Sequence, residues 1–345
     1  MDPTQPSLEL RALIQKVAGG STLSEIEIRT ALEQMTEGAA TPAQMGAFLM
    51  ALRVRGETVE EITGAAQMMR ARMNRVEVPA GAVDIVGTGG DGTGTFNVST
   101  CAALVAAGAG VKIAKHGNRS VSSLAGASDV LSALGVKLDV PFATITRCVE
   151  QAGLGFMWAP QHHPAMKHWA PIRGELGIRT IFNLLGPISN PAGVKRQVVG
   201  VFSWHWVEPI AHVLKNLGCD HVWVVHGHDG LDELTTTGAT DVAEVKDGKV
   251  TVFEVTPADA GLQPAKLSDL KGGDANHNAA AIREVLSAKK MPLRDIAVLN
   301  AAAALIVAGK AANLTDGAAL AAHSIESGAA KAALEKLVAI TNGRD

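Results

Sequence analysis

Three short stretches carry residue types that could do chemistry. The first is Gly87-Thr-Gly-Gly-Asp-Gly-Thr-Gly-Thr95, which leads into a helix start marked by Asn97 and Ser99. A glycine-rich turn ahead of a helix is an anion site, because its amides face the ligand and the helix dipole favours negative charge. Missing Cβ atoms also let the backbone approach phosphate closely. Gly87, Gly89 and Gly92 satisfy G-x-G-x-x-G, but a dinucleotide loop needs an acid about 20 residues on. No Asp or Glu lies between Val98 and Leu124. A P-loop needs a lysine after its closing glycine, and none is present. The stretch reads as a phosphate loop of neither common class; the alternative is a glycine turn without ligand.

The second stretch, Lys115-His-Gly-Asn-Arg-Ser-Val-Ser-Ser123, offers two cations, three hydroxyls and a flexible glycine. That inventory suits several phosphate oxygens at once, although a solvated loop has the same composition. The third, Gly227-His-Asp-Gly-Leu-Asp-Glu233, ends in adjacent carboxylates. Asp232 and Glu233 suit Mg²⁺, a hard cation that bridges protein oxygens to phosphate; a solvated acidic turn is the plainer alternative. Arg173 lies far from all three in sequence. Its planar fork can grip a carboxylate through two parallel hydrogen bonds, or pair with Glu175. His162, His163 and His168 lack zinc spacing and a supporting acid, and read as packing or loop-ordering residues.

The elements that must hold these stretches follow from periodicity. Strands are expected over 83–86, 111–114, 154–158, 198–202 and 221–225, and helices over 101–107, 140–151, 207–217 and 278–289. Such alternation implies a mainly parallel central sheet with helices on its faces. Each of the three stretches follows a strand, so all three fall at the carboxyl edge of one sheet, where open α/β sheets bind ligands. Together they describe a site for a polyphosphorylated, metal-chelated substrate. Residues 242–253, with Asp247-Gly248 at the centre, read as a hairpin. The chain is Ala-rich and helical from Leu293. Trp204, Trp206 and Trp223 read as core.

Residues 1–75 read as helices only. Thr22 with Glu25, Thr41 with Gln44, and Thr58 with Glu61 are expected capping boxes, and Gly38 is placed to end the helix that the first of them opens. The fold class is therefore α/β: a small N-terminal all-helical domain, 1–75, completed by part of 162–190, and a larger α/β domain, 76–345. A chain of 345 residues with 47% apolar content has room for two or three domains and a large core.

Thirty-one basic against 34 acidic residues give a net charge of −3, which provides no bulk attraction to nucleic acid or an anionic membrane. Tyrosine is absent and aromatics are 3%, so base-stacking platforms are not expected. Three cysteines without a C-x-x-C pair argue against structural zinc or a disulfide framework and for a reducing compartment. No signal-peptide pattern and no apolar run of 18 occur, so a cytoplasmic location is expected.

The combination of Gly87-Thr-Gly-Gly-Asp91, Lys115-His-Gly-Asn-Arg119 with Ser122-Ser123, Arg173-x-Glu175-Leu-Gly-x-Arg179-Thr and Leu231-Asp-Glu233 resembles the anthranilate phosphoribosyltransferase family. The resemblance runs from about Thr22 to the end. It implies a nucleoside-phosphorylase-like fold, a cleft between a helical and an α/β domain, and a homodimer paired through the helical domain. The implied reaction joins anthranilate to 5-phosphoribosyl 1-pyrophosphate (PRPP) and releases pyrophosphate, in tryptophan synthesis. By the same resemblance, Gly87, Gly90, Asp91, Thr95, Asn97, Val98, Ser99 and Thr100 line PRPP. Lys115, His116, Gly117, Asn118, Arg119, Ser120, Val121, Ser122 and Ser123 fold over it. Gly87, Asn118 and Arg173 meet anthranilate. Ser99 serves one Mg²⁺ and Asp232 with Glu233 a second, two ions per subunit. Ala127 stands where members often carry Ser, so one hydroxyl contact to phosphate is missing. No dedicated general acid or base is expected, because the aromatic amine is a neutral nucleophile at pH 7. A pyrimidine nucleoside phosphorylase, or a nucleic-acid-binding relative of the same fold, is the alternative.

Overall fold

The computed structural model describes residues 9–119 and 124–344. It divides into two compact units, 1–74 with 163–189, and 75–162 with 190–345.

The first unit is helical: Leu10–Ala18, Glu25–Thr36, Pro42–Arg55, Val59–Ala71, Ala170–Leu176 and Phe182–Leu185. Thr41 with Gln44 and Thr58 with Glu61 form the expected boxes, and Pro42 fills the first turn. The first expected box is displaced. The second helix is capped by Ser24 with Glu27, not Thr22 with Glu25. That register places Leu23 just before the cap and Ile28 at the fourth helical position, and both are buried. These are the two positions of a hydrophobic staple, which decides between two overlapping polar signals. Glu61 is fully buried; it accepts the Leu23 amide at 2.8 Å and pairs with Arg55. Residues 163–189 join the first helices through Trp169. Its indole is buried, donates to Thr36 Oγ1 at 3.0 Å and packs on Phe182 at 4.8 Å between ring centroids.

The second unit is built on seven strands: β1 Val83–Gly87, β2 Ile113–Gly117, β3 Leu154–Trp158, β4 Arg196–Gly200, β5 His221–Gly227, β6 Thr240–Lys246 and β7 Lys249–Val255. Their order is β3-β2-β1-β4-β5-β6-β7. The first five in that order are parallel, with Val83 opposite both Ile113 and Arg196. The chain builds outward from β1 on one side, then returns to add β4 on the other. The sheet therefore has a topological switch point between β1 and β4, where ligands bind. β6 and β7 form the expected antiparallel hairpin, and Asp247 and Gly248 both take positive φ (50° and 71°), as its tight turn requires.

The helices Val98–Gly108 and Pro292–Val307 pack in the core beside the sheet, with Ala301, Ala302, Ala303 and Ala304 fully buried. Trp206 and Trp223 are core, as expected, but Trp204 is 70% exposed. It opens a short 3₁₀ turn just past β4 and stands edge-on to His205, so its aromatic type misleads. The three cysteines are free and buried. No helix among the described residues is long and apolar enough to cross a membrane.

Candidate functional site

The glycine loop leaves β1 at the switch point. Gly89 and Gly90 take φ of 68° and 73°, a conformation that residues with a Cβ rarely adopt. Asp91 turns the loop by accepting the Thr93 amide at 3.1 Å and its hydroxyl at 2.8 Å. Thr88 ties it to β4: its amide donates to Gly200 O, and its hydroxyl accepts the Phe202 amide, both at 2.9 Å.

The acidic loop closes on the same point. A Cβ on Gly200 would lie 1.6 Å from the Asp232 carbonyl oxygen, and one on Gly87 would lie 2.5 Å from the Asp232 carboxylate. Asp232 thus sits against the ends of β1 and β4, where only glycine leaves room. Its Oδ2 accepts the Gly89 amide at 2.6 Å, and Glu233 Oε1 accepts the Ser99 amide at 3.1 Å. The two acids therefore join the glycine loop and the helix it feeds to a loop more than 130 residues away.

Lys115 corrects an expectation. The sequence pattern ends the strand at Ala114, but β2 runs to Gly117, so Lys115 and His116 are strand residues and not loop residues. Both are nearly fully buried. A strand can bury lysine here because its ammonium has partners: Ile85 O at 2.5 Å and Ser99 Oγ at 3.2 Å. The pleat sends neighbouring side chains to opposite faces, so His116 faces away from Lys115. The His116 amide donates to Asp84 Oδ1 at 3.2 Å.

Burial dominates the electrostatics. It pushes Asp232 up to about 7, aided by the negative charge of Asp91. It pushes Glu233 up to about 8, aided by Asp232 and opposed by Lys115. Lys115 is lowered by burial and held up by Asp84, Glu233 and Asp232. Three carboxylates share one ammonium, and burial makes all three resist ionisation, Asp232 and Glu233 the most. A hard divalent cation satisfies such an oxygen donor set, so the residues present fit Mg²⁺.

The other expected residues lie as follows. Thr95 bridges to Lys271. The Asn97 side chain is held within the fold, with Nδ2 donating to Ala125 O at 3.1 Å. Val98 is a core side chain. Thr100 is buried, and its hydroxyl has no partner among the described residues. Asn118 Oδ1 accepts the Arg119 amide at 2.8 Å, and Arg119 lies 5.9 Å over the Trp158 ring and 3.8 Å from Asp129. Ala127 opens a helix beside Gly117, whose added Cβ would lie 3.3 Å from Ala127 Cβ. Ser120, Val121, Ser122 and Ser123 lie outside the described residues. Arg173 belongs to the helical unit. Its guanidinium lies 5.5 Å over Phe182, and burial lowers its pKa.

Two supporting residues escape a reading of the sequence by loops. Asn300 is fully buried in the Ala-rich helix; it accepts the Leu234 amide at 3.0 Å and donates to the Leu234 carbonyl at 2.8 Å. It anchors the residue next to Glu233, and a lone Asn inside an apolar helical run was its available signal. Asp84 on β1 accepts Asn190 Nδ2 at 2.7 Å, and burial pushes it up to about 6 against the pull of Lys115. Its signal was an acid inside an apolar strand.

Comparison with known proteins agrees with this geometry. The chain matches the glycosyl transferase family helical bundle domain over residues 11–73 and the glycosyl transferase family a/b domain over residues 80–331. It is 60% identical over 334 residues to the anthranilate phosphoribosyltransferase of Rhodopseudomonas palustris (strain BisB5), covering 97% of this chain and 99% of that one. The chain belongs to the anthranilate phosphoribosyltransferase family. The solved anthranilate phosphoribosyltransferase of Thermus thermophilus is similar with a TM-score of 0.90 at 44% identity, over 96% of this chain and 99% of that one. The anthranilate phosphoribosyltransferase of Saccharomyces cerevisiae, solved in complex with PRPP and Mg, gives a TM-score of 0.89 at 31% identity, over 98% and 99%.

Proposed function

We propose that the three loops of the α/β unit hold PRPP as its Mg²⁺ chelate. As an enzyme of its family, the chain transfers phosphoribosyl from PRPP to the amine of anthranilate and releases pyrophosphate, in tryptophan biosynthesis. A bond forms between the amine nitrogen and C1 of the ribose, the bond from C1 to the pyrophosphate oxygen breaks with its electron pair leaving on pyrophosphate, and the nitrogen gives up one proton to solvent. The observation that carries the site reading is the pair of bonds from Asp232 to the Gly89 amide and from Glu233 to the Ser99 amide.

The leaving group departs readily only when its charge is balanced. Glycine-loop amides and the Lys115 ammonium supply part of that balance. Mg²⁺, when bound, neutralises phosphate charge and orients the diphosphate. Two ions per subunit are proposed, with the Ser99 hydroxyl serving one and Asp232 with Glu233 the other. Gly87, Gly90, Asp91, Thr95 and 97–100 line PRPP, and 115–123 with Ala127 complete its surroundings. Arg173 holds the anthranilate carboxylate in a bidentate grip, and Asn118 and Gly87 are further anthranilate contacts. No side chain acts as a dedicated base. Catalysis then rests on positioning and on charge stabilisation.

The proposal treats 1–75, with part of 162–190, as a helical domain and 76–345 as the PRPP-binding domain. It also includes a cytoplasmic homodimer paired through the helical part. A phosphorylase reading is weaker, because metal-free phosphorolysis leaves Asp232 and Glu233 without a task. The test uses the fluorescence of anthranilate, which is expected to fall on ribosylation. Mixing enzyme, anthranilate and PRPP should quench it with Mg²⁺ and not in EDTA. Phosphorolysis of thymidine in place of this reaction would overturn the reading.

A further inference from the structure

We infer that Asn278 is a positioning residue for PRPP: it sets the amide of Asn97, and through it the junction between the glycine-loop helix and Ala125. The inference rests on the PRPP-site reading above and adds a residue 181 positions from Asn97 in sequence.

Asn278 lies in the helix Ala275–Leu286, which no ligand loop contains. Its side chain is 2% exposed, so its amide must find partners inside the protein. Its Oδ1 accepts the Gly273 amide at 2.8 Å. That backbone donor has only one sense, so the Asn278 amide has only one orientation. Its Nδ2 then donates to Asn97 Oδ1 at 2.9 Å and to the Gly273 carbonyl at 3.2 Å. Asn97 is oriented in turn. With its oxygen occupied, its Nδ2 must face the other way, where it donates to Ala125 O at 3.1 Å. One backbone N–H thus directs two side-chain amides in series.

The relay starts from a firm base. Residues 270–273 run along the exit of the glycine loop, with Phe96 N donating to Leu270 O at 3.0 Å and Gly272 N to Gly94 O at 2.9 Å. A Cβ on Gly272 would lie 2.8 Å from the Phe96 backbone and from Asn278 Oδ1. The far end is equally placed: Ala125 precedes Gly126, which caps the helix opened by Ala127. Arg283, from the same helix as Asn278, donates to Ala133 O at the end of that helix.

Asn278→Asp tests the relay with little change of volume. The carboxylate still accepts from Gly273 but offers no donor to Asn97. Asn97 must then reverse its amide and turn an oxygen toward Ala125 O. Steady-state kinetics should show the KM for PRPP raised about tenfold, the scale of one lost buried hydrogen bond. The KM for anthranilate should stay close to the parent value, while the melting temperature falls by several degrees, because the buried carboxylate also faces the Gly273 carbonyl without a donor. The double variant with Asn97→Ala should be no worse than Asn97→Ala alone, because the second change acts through the first. Asn278→Ala removes the same donor, together with the Gly273 contacts, and the same comparison with Asn97→Ala reads it should the Asp variant misfold. An Asn97→Ala enzyme with an unchanged PRPP KM would overturn the placing of Asn97 at the PRPP site. A raised KM in Asn97→Ala with none in Asn278→Asp, or effects that multiply fully in the double variant, would overturn the relay alone.

Discussion

Asp232 and Gly89 are 143 residues apart, and the carboxylate of one accepts the backbone amide of the other at 2.6 Å. This bond crosses the switch point of the sheet and sets an acid from the β5 loop against the glycine loop after β1. It explains why glycines stand at both strand ends there. Gly200→Ala places a methyl where the Asp232 carbonyl oxygen lies, and neither backbone can yield cheaply. The variant should lose about 1–3 kcal/mol of stability and most of its turnover. Thermal melting and the anthranilate quench read the two effects separately.

The raised carboxylates predict a pH dependence whose sign is set. Asp232 and Glu233 hold protons in the folded apo chain that the unfolded chain has released. Their effect is absent below their ordinary values of 3.8 and 4.5, and it grows as pH rises through about 7 and about 8. In EDTA they therefore make stability fall across that window. Mg²⁺ competes with those protons, so its affinity should rise with pH over the same interval. Melting curves with and without Mg²⁺ from pH 6 to about 8.5 check both statements.

Arg173→Ala should raise the KM for anthranilate about 10- to 100-fold, the scale of a charged bidentate contact, and leave that for PRPP nearly unchanged. Arg173→Lys should recover only part of the loss, because ammonium lacks the planar fork. Equal rises in both KM values would remove the clamp.

Asn300→Leu removes both partners of the buried Leu234 backbone. About 2–3 kcal/mol of stability should be lost, and Mg²⁺ affinity should fall because the loop carrying Glu233 is no longer anchored. Calorimetry with Mg²⁺ at a temperature well below the melting point separates the second effect from the first.

Local chemistry made much of this legible. Thr41 with Gln44 and Thr58 with Glu61 cap helices where their spacing says they should, and Asp247-Gly248 turns its hairpin with both φ values positive. The glycine loop and the acid pair have plain alternatives when taken alone, and became visible because each follows a strand and so falls at one edge of the sheet. What was hidden depended on distant partners. Thr22 with Glu25 and Ser24 with Glu27 are equal as local signals, and the burial of Leu23 and Ile28 selects the second. Lys115 reads as a loop residue until Ile85 O and Ser99 Oγ supply the bonds that let a strand bury it. Asn300 and Asn278 are plain helix residues until their amides meet backbone from elsewhere.

If Asp232 and Glu233 hold the Mg²⁺ that chelates the departing diphosphate, Mg²⁺ can strengthen PRPP binding only while both are present. Isothermal titration of PRPP into the parent enzyme and into Asp232→Asn/Glu233→Gln, each with and without Mg²⁺, tests it most directly. Binding should be enhanced by Mg²⁺ in the parent and show none of that enhancement in the variant, with turnover down by about 100-fold or more. A variant that still binds PRPP more tightly with Mg²⁺ and turns over like the parent would contradict it.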